Sequence, residues 1–312
     1  MLEKEDTRIP VILDTDANNE VDDQHAIAYT LLNGDVFKVE GLTVNRTRNG
    51  GGIEDQYAEA MRVVRLCKLD NVVPIINGAS GGFDEIKDST DARTFDGSEA
   101  VDFIIEQSLV PRDQKLVILA VGKLTNVALA VKKDPSIVNR VRLVWLGSNY
   151  PNPGEYNLEN DIPSMNYLLG TEIPFEMVTV RYSEETGTGA VRLSRDRAMK
   201  EMPGLGPKIA EPVTGRHGGD FFCFGDYSAN LFEHVECYGD PPSRALFDMA
   251  AVAIVKNPDW AEKTKIEAPV MVGEEWQFTE GSNRDVLLWE NFDKEAIIED
   301  FLKTMRRPVF VY

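Results

Sequence analysis

The sequence predicts an α/β protein built on an open, doubly wound, mostly parallel sheet flanked by helices. Two observations predict it. Six short apolar runs rich in β-branched residues read as buried strands, and amphipathic stretches with helical spacing lie between them, giving the β-α-β-α rhythm of a parallel sheet. Ligands in such sheets bind beyond the carboxyl ends of the strands, so the residues directly after each run are where function is sought.

Strand Ile9 to Leu13 leads through a polar turn into helix Gln24 to Leu32, and strand Val36 to Val44 precedes helix Ile53 to Leu66. Strand Val72 to Ile76, helix Ser98 to Leu109, strand Leu116 to Val121 and helix Leu124 to Val131 continue the alternation. Val141 to Leu146 and Pro174 to Val180 complete the six runs. From about 184 to 242 the rhythm breaks into mixed Gly, Pro, aromatic and charged residues, read as an irregular, partly helical insertion able to cover a site. Helical patterning returns at Ser243 to Val255, succeeded by strand-like Val286 to Trp289, a helix over Lys294 to Met305 and a terminal run Pro308 to Val311. Without an internal repeat or a low-complexity linker, the expectation is a single domain over residues 1–312.

Composition narrows the function. The chain has 312 residues, 43% of them apolar, enough for a sizeable core. Its net charge of -19, from 52 acidic and 33 basic residues, argues against a nucleic acid polymer or an anionic membrane as partner. Cys67, Cys223 and Cys237 are odd in number, widely spaced and in no CxxC pattern, so neither a disulfide framework nor a thiolate zinc site is expected. No apolar run is long enough to span a bilayer, and MLEKEDTRIP lacks the pattern of a signal peptide. The expected compartment is the reducing cytoplasm, although the sequence does not speak to a leader already trimmed from it.

The segment PVILDTDANNEVDDQHAIAYTLL delivers Asp14, Asp16, Asp22 and Asp23 to one strand end. Carboxylates this close raise one another's pKa unless a cation or a helix N-terminus offsets them. Capping the helix accounts for one or two of the four. The rest ask for a hard cation such as Ca2+ or Mg2+, because the ligands are oxygens and no cysteine is near. An EF-hand would need a glycine where Asn19 stands, a glutamate where His25 stands and a helix before the loop. A haloacid dehalogenase-type phosphatase shares the Asp-x-Asp but has a Thr or Val and a Gly soon after it, where this chain has Ala17-Asn18-Asn19.

Along its further motifs the chain resembles the inosine-uridine-preferring nucleoside hydrolase family, whose opening pattern is DTD or DxD, a short turn, DD and an apolar helix. Gly41-Leu42-Thr43-Val44-Asn45 is similar to the end of that family's second strand, and Val121 to Asn126 resembles its GPLTN turn. Val144 to Gly147, with Gly154-Glu155-Tyr156-Asn157 after it, resembles its glycine turn and EFN motif, and Phe247-Asp248 stands where the family has HD. Four motifs in order over roughly Pro10 to Pro258 are more specific than any one of them.

The resemblance implies a nucleoside hydrolase-like fold with a Rossmann-like core and Ca2+-dependent hydrolysis of the N-glycosidic bond of ribonucleosides. It implies that Asp16, Asp23, Asp248 and the main-chain carbonyl of Thr125 hold Ca2+, with Asp16 also taking the proton of the attacking water. Asp22, Glu155, Asn157, Asn45 and Asn149 would hold ribose hydroxyls. The implied partners are a small nucleoside or riboside and further copies of the chain, as a homodimer or homotetramer. The alternatives are hydrolysis of another ribosyl conjugate and a non-catalytic, calcium-dependent sugar-binding protein.

Two departures stand out. The turn between Asp16 and Asp22 is two residues longer than the family's commonest form, with Asn18, Asn19 and Glu20 in place of Pro-Gly. Phe247 replaces the histidine that in many members helps the base depart. His217, His234 and Tyr227, in the 184–242 segment, are the candidates for a leaving-group or lid residue in its place, with Tyr182 a further aromatic and His25 read as structural.

Overall fold

A computed structural model describes residues 6–19, 21–278 and 284–311. Eight strands form one sheet: β1 (Ile9–Thr15), β2 (Phe37–Val44), β3 (Ile75–Asn77), β4 (Leu116–Ala120), β5 (Val141–Ser148), β6 (Phe175–Thr179), β7 (Glu262–Glu267) and β8 (Asp285–Glu290). Their order is β7-β8-β6-β5-β4-β1-β2-β3, and every neighbouring pair is parallel except β7 against β8. Successive side chains of β1 enter opposite layers: Val11 and Leu13 join one hydrophobic cluster and Ile12 the other. Both faces of the sheet are therefore covered by helices, which is why its strands read as continuous apolar runs rather than alternating ones.

Besides the one-turn helix Phe83–Ile86, the helices among the described residues are α1 (Asp22–Leu31), α2 (Ile53–Leu66), α3 (Ser98–Leu109), α4 (Thr125–Lys133), α5 (Tyr156–Asn160), α6 (Ile162–Leu169), α7 (Arg195–Glu201), α8 (Phe224–His234), α9 (Phe247–Lys256) and α10 (Lys294–Arg306). Expected and observed bounds coincide for α2 and α3. β1 runs two residues beyond the apolar stretch, because Asp14 pairs with Thr43 on one side and Ala120 on the other. Among the described residues no helix is long and apolar enough to cross a membrane.

Two expectations need correction. The run Val72 to Ile76 is strand only from Ile75, since the amides of Val72 and Val73 both turn back to the Leu69 carbonyl. The stretch Ser243 to Val255 is not one helix: Ser243–Ala245 pairs antiparallel with Arg192–Ser194, and α9 starts afterwards. The terminal run Pro308 to Val311 makes a single bridge, Val309 to Asn33. β7, of sequence EKTKIE, carried no strand signal because its side chains face solvent, and its charges guard the sheet edge against further pairing.

Candidate active site

β1 lies between β2 and β4, where the strand order turns from one direction of winding to the other. The crevice outside the strand ends opens there. Asp14 sits at this point but faces the framework. Its carboxylate accepts from Thr43 Oγ1 at 2.5 Å, Asn45 Nδ2 at 2.7 Å and Asn126 Nδ2 at 2.7 Å, while Asn126 Oδ1 accepts from the Ala79 amide at 2.8 Å. Asp14 thus ties β1, β2 and α4 together. Burial raises its pKa to about 6, partly offset by these three donors.

Two residues on, Asp16 faces the crevice, and its Oδ2 accepts from Thr47 Oγ1 at 2.5 Å. Asp22 and Asp23 form the first turn of α1, and Asp248 lies in the first turn of α9, the helix packed beside it. Two helix N-termini therefore converge on one point with their partial positive charge. Asp22, Asp23 and Asp248 each offer a carboxylate oxygen, all within 4.8 Å of one another, and all three are buried. Thr15 Oγ1 donates to Asp23 and fixes its rotamer.

Burial drives Asp16 and Asp22 up to about 7. It drives Asp23 and Asp248 well above the carboxylate range, and mutual repulsion among the four adds to the effect. Helix dipoles do not offset this much charge. The donor set, all oxygen and nearly dry, fits a hard divalent cation.

These carboxylates line a cavity of about 440 Å³, together with Glu155, Asn157, Tyr182, Arg192, Arg244 and Phe247 among others. The Asn157 amide donates to the Val121 and Leu146 carbonyls at 2.9 and 3.1 Å, so its carbonyl oxygen is the end available for a ligand. Glu155 caps α5 through Oε2, which accepts from the Leu158 amide at 2.8 Å, and burial pushes its pKa to about 7. Phe247 stands edge-on to Tyr182, with ring centroids 6.0 Å apart.

Other expected residues lie elsewhere. Thr125 is the first residue of α4, so its carbonyl accepts within the helix, and its hydroxyl donates to Asp161; Val121 is the residue of this turn that lines the cavity. Asn45 is held by Asp14, and Asn149 bonds through both ends, donating to the Pro153 carbonyl at 2.9 Å and accepting from the Tyr182 amide at 3.2 Å. Neither lines the cavity. Tyr227 is buried with its hydroxyl on Glu59 Oε1 at 2.5 Å. His217 stacks on His234, centroids 4.5 Å apart, beside an adjoining space of about 280 Å³ that shares Asn19, Tyr238 and Arg244 with the cavity. His25 is structural: it bonds Ser228 Oγ at 2.7 Å and packs among Phe224, Phe232 and Phe301.

In the longer turn, Asn18 bonds the Gly50 carbonyl and Gln56, and Asn19 reaches the cavity rim, while Glu20 lies outside the described residues. Thr47, Arg192 and Arg244 are not among the residues that the sequence motifs single out. Neither a lone threonine nor two of the several arginines between positions 181 and 244 carries a signal in the sequence.

The sequence pattern of the family described as inosine-uridine preferring nucleoside hydrolase matches residues 11–299, and the chain belongs to that family. It is 26% identical over 175 residues to the non-specific ribonucleoside hydrolase RihC of Klebsiella pneumoniae (strain 342), covering 49% of this chain and 55% of that protein. It is 28% identical over 142 residues to an uncharacterised protein of Schizosaccharomyces pombe, covering 43% of this chain and 45% of that one. The chain thus spans about half the length of these curated relatives. Among solved structures, the plant nucleoside hydrolase PpNRh1 superposes with a TM-score of 0.72 at 16% identity, over 96% of this chain and 99% of that one. An inosine-uridine preferring nucleoside hydrolase from Bacillus anthracis gives 0.69 at 18% identity, over 96% and 100%. At such identities the likeness speaks for the fold alone.

Proposed function

We propose that the protein hydrolyses the N-glycosidic bond of ribonucleosides, releasing ribose and a free base, with Ca2+ as its cofactor. The observation that carries this reading is the buried set Asp22, Asp23 and Asp248 beside Asp16, in a cavity large enough for a nucleoside. Asp16, Asp23 and Asp248 are the residues that would hold the ion. Ca2+ bound there supplies the charge that lets neighbouring carboxylates ionise together, and it increases the acidity of a nearby water.

The chain's own residues supply the rest. Thr47 holds Asp16 by Oδ2, which leaves Oδ1 to accept the proton of the attacking water. Asp22, the Asn157 carbonyl oxygen and Glu155 Oε1, which line the cavity, would accept hydrogen bonds from ribose hydroxyls, contacts that strengthen as the ring gains oxocarbenium character.

Ribose release from a panel of purine and pyrimidine nucleosides, measured with Ca2+ and after chelation, tests the reading. Turnover lost on chelation and in a folded Asp16→Ala protein supports it. Turnover unchanged in Asp16→Ala would refute it. Phe247 favours a second reading, in which the same sugar site cleaves a different ribosyl conjugate; a panel on which true nucleosides are the poorest ribosides would select it.

A further inference from the structure

The loop between β2 and α2 carries Thr47, whose hydroxyl holds Asp16 Oδ2. Thr47 is buried, whereas Arg46, Arg48 and Asn49 around it are exposed. Such a loop points one side chain in a fixed direction only if its backbone is fastened, since a free backbone samples many conformations.

This backbone is fastened from two sides. On the side of the turn that enters α1, Asn18 Nδ2 donates to the Gly50 carbonyl at 2.9 Å. Gln56, fully buried in the first turn of α2, accepts from the Asn18 amide at 2.7 Å and donates to the same Gly50 carbonyl at 3.0 Å. On the side of α5, Tyr156 Oη accepts from the Asn49 amide at 2.9 Å and Asn160 Oδ1 from the Arg48 amide at 2.7 Å. The Arg48 guanidinium lies 5.1 Å from the centre of the Tyr156 ring, with Nη2 3.0 Å from Glu159 Oε2. Gly50 has a φ of +77°, and a Cβ there would stand 2.7 Å from both the Asn18 carbonyl oxygen and Gln56 Nε2, so glycine lets these partners close on the loop.

The loop therefore joins two walls of the cavity, that of Asp16 and Asn19 and that of Glu155, Tyr156 and Asn157. One anchor on each side stands where the chain departs from the family's motifs. Asn18 belongs to the longer turn, and Tyr156 occupies the phenylalanine position of EFN. Two departures 138 residues apart in the chain thus fasten the same four residues, one of which orients Asp16.

We propose that Asn18 and Tyr156 are positioning residues that clamp residues 47–50 from opposite sides and act through Thr47 to set the direction of the Asp16 carboxylate. The inference rests on the hydrolase reading for its effect on turnover and on the proposed Ca2+ site for its effect on binding. Asn18 does not line the cavity, and the Tyr156 hydroxyl is turned to the Asn49 amide. A carboxylate that takes a proton from water and binds a cation works within a narrow range of directions, and the groups that hold it govern metal affinity as well as rate.

The test measures kcat and KM for inosine and uridine, and the Ca2+ Kd by isothermal titration calorimetry. The proteins are wild type, Asn18→Ala, Tyr156→Phe, the double variant, Thr47→Val and the triple variant. Each clamp change alone is expected to lower kcat about 3-fold with KM nearly constant, and the double variant about 10-fold, the loss expected of Thr47→Val itself. The Ca2+ Kd is expected to rise about 10-fold in the double variant. In the Thr47→Val background the two clamp changes together are expected to lower kcat by less than about 2-fold more, because the group they act through is gone. Three results would overturn the inference and leave the hydrolase reading standing: losses that multiply in full in the triple variant, a rise in KM with kcat unchanged, or wild-type kcat and Ca2+ Kd in the double variant. Weakened Ca2+ binding in the double variant, with no ribose released by the wild type, keeps the clamp and overturns the hydrolase reading. A wild type that neither binds Ca2+ nor releases ribose overturns both.

Discussion

Replacing Asp248 by Asn tests the acidic centre through two opposite effects. Without a cation, Asp22, Asp23 and Asp248 confine carboxylate oxygens within 4.8 Å of one another. Two ionised carboxylates at that distance repel by about 3–4 kcal/mol at an effective dielectric near 20. Proton uptake relieves part of this, so Asp248→Asn is expected to stabilise the chelated protein by about 1–3 kcal/mol. For a chain of 312 residues, 1 kcal/mol corresponds to about 1.5 °C in Tm, so the chelated variant melts about 2–5 °C above the chelated wild type. Ca2+ at about 1,000 times its Kd stabilises the wild type by about 4 kcal/mol, or about 6 °C, and this shift is lost in the variant. Differential scanning calorimetry with and without Ca2+ reads both effects. A chelated variant melting below the chelated wild type, or one that keeps the full Ca2+ shift, would refute the reasoning.

The same geometry sets three further outcomes. A Cβ on Gly122 would sit 2.7 Å from Asn45 Nδ2 and 3.0 Å from Asp16 Oδ1, so Gly122→Ala is expected to displace Asp16 and cut kcat about 100-fold; activity within about 3-fold of wild type contradicts this. Thr47→Val removes the hydroxyl that orients Asp16, and kcat is expected to fall about 10-fold with KM nearly constant, whereas a change in KM alone would show the hydroxyl serving binding. Glu155 is held by burial at a pKa of about 7, above its unfolded value, so the stability it contributes is complete below about pH 4 and lost as pH rises toward 7. Glu155→Gln is expected to flatten that decline by up to about 3 kcal/mol in urea titrations of the chelated protein, and parallel pH curves for the two proteins would exclude it.

The strand-helix alternation was legible because a parallel sheet covered on both faces writes itself as apolar runs, and α2 and α3 carry clear helical spacing. β7 was not legible, because an exposed edge strand has no apolar side to display. The acidic segment was legible as a cation site, and the ordered motifs placed Asp248 with it across more than two hundred residues. Position along β1 did not reveal which acids face the crevice. Asp14 and Asp16 look equivalent in DTD, yet Asp14 is bound by Thr43, Asn45 and Asn126, and Asp16 is turned to the cavity.

By itself, then, the sequence determined the layered sheet, the acid-rich end of β1 and the aromatic at position 247, since each is set by residues adjacent in the chain or by ordered motifs. Only the tertiary structure decided that Thr125, Asn45 and Asn149 serve the framework, that His217 and Tyr227 stay outside the cavity, and that Arg192 and Arg244 enter it. The reason is that a polar group's partner depends on strand register and on where a crossover returns. The pairing of Arg192–Ser194 with Ser243–Ala245, which brings both arginines to the cavity wall, joins segments about fifty residues apart that no local pattern connects.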